Sequence, residues 1–203
     1  MENYKMSLYE DYVLRVALYM PPSASVDFIL LVLGLKPALR TRLLQVERFE
    51  EVRDWCEKWG FFSHLDEEGF IFISPDQSLA TEIITLDQST KKHEYKLGLL
   101  FGYPKCCTKK IAEIGEHYID DYEDKICSAT FEAFFCLINP ENYRKGTAFI
   151  SHVPCSSSCF HSLHIAQQLA LFVLRNKDKE VLNSWLKELE KIYKEDVCQF
   201  PLK

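Results

Sequence analysis

Glycine is scarce in this chain, with 7 residues in 203. That scarcity argues against a glycine-rich loop of the kind that cradles a nucleotide's phosphates. Positive charge is also in short supply. The formal net charge is -6 at pH 7, which disfavours nonspecific binding to DNA or RNA, since that needs a basic field. Long apolar runs are missing too. The longest, Phe28 to Leu33 among them, are far too short to cross a bilayer. Near the N-terminus Glu2, Glu10 and Asp11 interrupt the apolar pattern, so no secretory leader is legible. There is no internal repeat and no low-complexity segment. These absences together set the expectation of a soluble, cytoplasmic protein without a nucleic-acid or membrane partner.

What the chain does have is apolar content. Hydrophobic residues make up 47% and aromatics 13%, enough to bury a substantial core without disulfides or oligomerisation. Lys91, Lys92, Lys96, Lys105, Lys109 and Lys110 lie close in sequence. They read as a solvated face or, alternatively, as a patch for an anionic ligand.

Apolar periodicity predicts a mostly α (α+β) protein, a helical domain with one small β-hairpin near residues 61–74. Ser7 is a candidate cap for a helix carrying Leu8, Tyr12, Val13, Val16 and Tyr19, ended by Pro21-Pro22. A second apolar helix opens at Ser25-Val26 and closes near Gly34, and Pro37 can start a short third one. Phe49, Val52, Trp55, Cys56 and Trp59 mark an amphipathic helix ending at Gly60. Phe61 to Leu65 and Phe70 to Ser74, around a polar turn, read as the hairpin. Helical patterns then run from Leu79 to Leu86, Thr90 to Phe101, and Pro104 to about Tyr118. Another helix carries Tyr122, Ile126, Phe131, Phe134 and Phe135, and a loop runs from Asn139 to about Ser151. Two more helices are expected, Pro154 to Arg175 and Lys179 to Lys194. A boundary between residues 75 and 90 would divide the chain into an N-terminal helical subdomain with the hairpin (1–88) and a helical metal-binding subdomain (89–203), unless the two form one domain.

Eight cysteines carry the chemistry. In a reducing compartment they are expected to be thiols or metal ligands rather than disulfides. Cys56, Cys127, Cys136 and Cys198 fall in apolar helical patterns or near the terminus and read as packing or surface residues. The other four sit in two segments of common design. Gly102-Tyr103-Pro104-Lys105-Cys106-Cys107 and His152-Val153-Pro154-Cys155-Ser156-Ser157-Ser158-Cys159 each place a proline before cysteines at an expected helix start. Unpaired amides and the positive end of the helix dipole favour thiolate there. Cys155 and Cys159, four apart, would share a helix face. Adjacent Cys106 and Cys107 are expected to diverge and so to suit two corners of a cluster better than one small ion.

A four-iron iron–sulfur cluster (4Fe-4S) on Cys106, Cys107, Cys155 and Cys159 is therefore the leading expectation. Zinc is the alternative, using Cys/His ligands with His152 as a further candidate. His161 and His164 should point away from Cys159, and His64, His93 and His117 read as surface or core residues. If only three cysteines ligate, an open iron could act on a small molecule. If all four do, electron transfer to a redox partner or a structural role follows. The zinc alternative is a non-catalytic interaction module. A strained disulfide between Cys106 and Cys107 is a third, thiol-redox reading. The residues assign no reaction.

Two resemblances bear on these residues. The cysteine spacing resembles that of assimilatory adenylylsulfate reductases, but over four residues only and without their phosphate-binding loop, so their reaction is not implied. Leu99 to Cys107 and His152 to Cys159, with Leu33 to Ala38 upstream, resemble the signature segments of domain-of-unknown-function family 483, a group of small microbial proteins. That resemblance spans about residues 25 to 175 and implies a shared site rather than a named activity.

Overall fold

The computed structural model describes residues 2–89, 91, 93–128 and 135–194. Thr90, Lys92, Phe131, Phe134 and Cys198, all used in the expectations above, lie outside these residues. The protein is mostly α with a small three-stranded antiparallel sheet.

Helix α1 (Glu2–Arg15) precedes α2 (Ser23–Leu33). The first of these starts earlier than the Ser7 cap would suggest. Apolar residues surround α2, and it is buried on nearly every side, from Ala24 through Val32, as such a composition requires. Gly34 closes it in the left-handed conformation (φ 76°), its amide on the carbonyls of Leu30 and Leu31. Tyr12 stacks on Phe28 with ring centroids 3.9 Å apart, and Trp55 meets Phe28 edge-on at 5.4 Å. Each such buried ring contributes on the order of 1.5–3 kcal/mol by leaving water.

Pro37 does not start a helix. It leads instead into strand β1 (Leu39–Arg42), where Leu39 and Thr41 are buried and alternate with Arg40 and Arg42. That period of two is the strand signature the proline obscured. After α3 (Phe49–Lys58) come β2 (Phe62–Leu65) and β3 (Phe70–Ser74), the expected hairpin. Strand order is β1-β3-β2, with Leu39 opposite Ile73 and Leu65 opposite Ile71. The central strand is buried on both faces. Ile71 and Ile73 join the main core, whereas Phe72 joins a smaller cluster with Ala38, Ile83 and Phe101.

Helix α4 (Gln77–Asp87) begins at Asp76, whose carboxylate accepts from the amides of Ser78 and Leu79 at 2.8 and 3.1 Å. Helices α5 (Glu94–Leu100) and α6 (Lys105–Ile114) follow, joined by the Gly102-Tyr103-Pro104 turn. Gly115 (φ 83°) stops α6 short of the expected Tyr118. Then come α7 (Ile119–Ser128), α8 (Phe135–Ile138), α9 (Phe160–Arg175) and α10 (Asn183–Lys194). The main apolar cluster gathers residues from Met6 in α1 to Ile192 in α10. No helix among the described residues is long and apolar enough to cross a membrane.

The helix expected from Pro154 begins only at Phe160. Pro154 has no N–H to give, and the three serines favour local turns over a helical ladder. Cys159 closes such a turn, its amide 3.2 Å from the Ser156 carbonyl, and its own carbonyl accepts the first helical bond from Leu163.

Candidate metal centre

The start of α6 and the loop ahead of α9 converge. The sulfurs of Cys106, Cys107, Cys155 and Cys159 all lie within 4.8 Å of one another. Cys107 and Cys159 are 3.6 Å apart, Cys106 and Cys159 3.7 Å, and the adjacent Cys106 and Cys107 3.9 Å. Neighbouring cysteines therefore do not diverge here. Cys155 and Cys159 meet through a turning loop rather than along one helix face.

The centre sits at the edge of the core. Cys107 and Cys159 are buried, while Cys106 and Cys155 are half-buried. The Cys155 amide donates to the Cys107 sulfur at 3.3 Å, and the Ser162 hydroxyl lies 3.4 Å from the same atom. From α7, the Tyr122 hydroxyl donates to the Cys155 carbonyl at 2.8 Å and holds the loop down.

Helix dipoles do not make all four sulfurs acidic. Burial pushes the Cys107 thiol up strongly and the Cys155 thiol up to about 12. Burial also opposes ionisation of Cys159, but Ser162 and the neighbouring thiols outweigh it and hold that group down at about 7. Of Cys107, Cys155 and Cys159, only Cys159 is stabilised as a thiolate by protein groups. A metal bound here would deprotonate the other two by its own charge. The donor set fits a thiophilic ion.

His152 is not among the clustered ligand atoms. Its Nε2 lies 2.8 Å from the Ser162 hydroxyl, which links it to Cys107 through one intervening group. Burial and the nearby charge of Lys36 push the imidazole down to about 3, so it is neutral near pH 7. This is the outer-shell position from which a histidine orients a ligand without being one. Among the remaining histidines, His161 packs edge-on against exposed Phe160, and His164 pairs with Gln168 at 2.7 Å. His64 lies against Phe72.

Of the four cysteines set aside as packing residues, Cys56 is a buried thiol and Cys127 a half-buried one. Cys136 departs from the thiol expectation. It is disulfide-bonded.

Sequence reasoning passed over a second polar group beside the centre. Lys36 and Asp27 form an ion pair, 4% and 1% exposed. The Lys36 ammonium also donates to the hydroxyls of Tyr103 and Ser151 at 3.4 and 3.2 Å, and Tyr143 donates to Asp27. Burial alone would push Lys36 down, but the charge of Asp27 and the bond to it reverse the shift, so the ammonium stays charged. An aspartate inside the all-apolar pattern of α2 was the available signal, because a buried carboxylate needs a partner.

A cavity of about 920 Å³ opens beside both groups. Its lining includes Cys107, His152, Tyr103 and Ser151, together with Arg40 and the turn Asp66-Glu67-Glu68. Gly98 also borders it, with no room for a side chain: a Cβ there would meet Thr108 Cγ2 at 2.6 Å. No family model, curated protein or solved structure matches the chain.

Proposed function

We propose that the protein is a metal-binding module in which Cys106, Cys107, Cys155 and Cys159 hold one tetrahedral zinc ion in a structural role. The observation that carries this reading is the spacing of the sulfurs. Four thiolates about 2.3 Å from one tetrahedral ion stand about 3.8 Å from each other; Cys106, Cys107 and Cys159 are 3.6, 3.7 and 3.9 Å apart, and all four sulfurs lie within 4.8 Å. Thiolates bound to separate irons of a cluster radiate from different corners and must stand farther apart. The four-iron reading therefore needs the sulfurs to move outward. It keeps support from the unequal exposure of the site, whose half-buried Cys106 and Cys155 leave an outer edge.

With four protein ligands the ion has no open position, so it clamps the chain rather than serving a reaction. It would fasten the start of α6 to a loop about fifty residues later that has no regular hydrogen-bond ladder of its own. The resemblance to family 483 belongs to the same proposal, since both segments on which it rests supply ligands.

Metal analysis of protein purified without oxygen tests the reading. One equivalent of zinc in a colourless protein is the expected result. Four irons with acid-labile sulfide and a brown colour would replace it with the cluster, and a stable metal-free protein would end both.

A further inference from the structure

We propose that the cavity beside the metal centre binds a small monocarboxylate carried on a flat apolar body. Three hydroxyls point to this ligand chemistry. Tyr103 and Ser151 both accept from the Lys36 ammonium. Each gives an oxygen lone pair to that ammonium, and no acceptor among the described residues takes either hydroxyl proton. Both residues line the cavity. Two hydroxyl donors backed by one buried cation form a site for an anionic oxygen, because charge-assisted hydrogen bonds are the stronger kind. Thr108 is the third. It lines the same cavity, is 3% exposed, and its hydroxyl has no partner among the described residues. A buried hydroxyl without a partner is costly, and a ligand oxygen would remove that cost.

The rest of the lining sets the body of the ligand. Leu97, Phe101, Ile111 and Val153 offer apolar walls. The volume lies within the range of about 300–1,000 Å³ usual for small-molecule sites. The lining carries more carboxylates, Glu67, Glu68 and Asp66 among them, than cations, and that excess disfavours a second carboxylate, which is why one acid group is specified. Nothing in this site requires a particular metal. It stands whether the neighbouring sulfurs hold zinc or a cluster, and metal content is measured separately from ligand binding.

Benzoate, benzamide and benzylamine are suitable probes, titrated at neutral pH into nitrogen-15-labelled protein carrying its native metal. Benzoate should shift the amide signals of Tyr103, Ser151 and His152. Benzamide should bind at least about tenfold more weakly, the loss expected for hydrogen bonds to a charged group, and benzylamine should bind more weakly still. Tyr103→Phe and Ser151→Ala should each weaken benzoate about tenfold with metal content unchanged. Thr108→Val, which leaves the contacts of Lys36 intact, should weaken it too and guards against a folding defect in the other two. The proposal fails if benzoate shifts no cavity signal, if benzylamine binds as tightly as benzoate, or if all three variants bind benzoate like the parent.

Discussion

Two regions of this molecule are held by different physics. Around Phe28, the side chains of Tyr12, Trp55 and Phe61 meet at ring distances of 3.9 to 5.8 Å. Nothing in that cluster needs a cofactor. Around Cys107 the neighbouring groups are thiols, a hydroxyl and a neutral imidazole. Hydrophobic burial is indifferent to chelators, whereas a thiolate centre depends on its ion. The first region should thus persist when the second is emptied, and the largest effects follow from breaking one without the other.

Removing the metal, or a ligand with Cys107→Ser, should have the largest consequence. Structural zinc contributes on the order of 10 kcal/mol in small peptides at neutral pH, and under the zinc proposal part of that would hold the α6 start against the α9 loop. Metal content should fall to near zero. Amide exchange should rise in residues 104–114 and 151–163 while α2 stays protected. Equal loss of protection in α2 would mean that the two regions are not separable.

Phe28→Ala provides the converse test. Deleting a fully buried ring from a packed core costs about 3–5 kcal/mol, and Phe28 is 0% exposed. Denaturant unfolding should show that loss with metal stoichiometry unchanged. Lys36→Met belongs beside it, because removing one partner of a buried ion pair also costs about 3–5 kcal/mol. Its effect should largely vanish in the double variant Lys36→Met with Asp27→Leu. If the double variant is as unstable as the single one, the pair is not the source.

A smaller effect is expected from Gly102→Ala. Gly102 has φ +78°, and a Cβ there would meet Pro37 Cδ at 2.5 Å. Strain and overpacking together should cost about 1–3 kcal/mol, readable as a lower thermal midpoint with the metal retained. The motif containing Gly102 was legible as a turn ahead of a helix. The partner of its close approach was not. It is the proline of the upstream Leu-Gly-Leu-Lys-Pro segment rather than anything at the metal centre, and no local pattern reveals a contact across some sixty-five residues.

The same limit explains what else the sequence revealed and withheld. Strong periodicity located α3 and α10, an apolar stretch closed by Gly34 located α2, and a polar turn between two apolar runs located the hairpin. β1 was missed because four residues after a proline are too few to show alternation. The two cysteine segments were legible through residue type and flanking prolines. Their geometry was not, since Pro154 and the serines turn the chain where an apolar period suggested a helix. The Lys36 network joins residues 27, 36, 103, 143 and 151, and such separations lie outside any window of local reasoning.

The smallest effect is the most specific to the comparison, and it concerns pH in the metal-free protein. Cys159 is held down at about 7 in the fold, against 9.0 for an ordinary thiol. Its contribution to stability is present above about 9 and is lost as pH falls through 7. Cys155 is pushed up to about 12, and Cys107 is raised as well. Their contributions are complete below about 9 and are lost as pH rises towards the folded values. Buried Tyr12 and Tyr143, also pushed up, act in the same direction. Apoprotein stability, followed by urea unfolding under reducing conditions, should therefore rise from pH 7 to about 9 and fall beyond it. Cys159→Ser should remove the rising limb and leave the falling one. A rising limb that survives in that variant would place the ionising group elsewhere, and would return the centre to the same physics as the aromatic core.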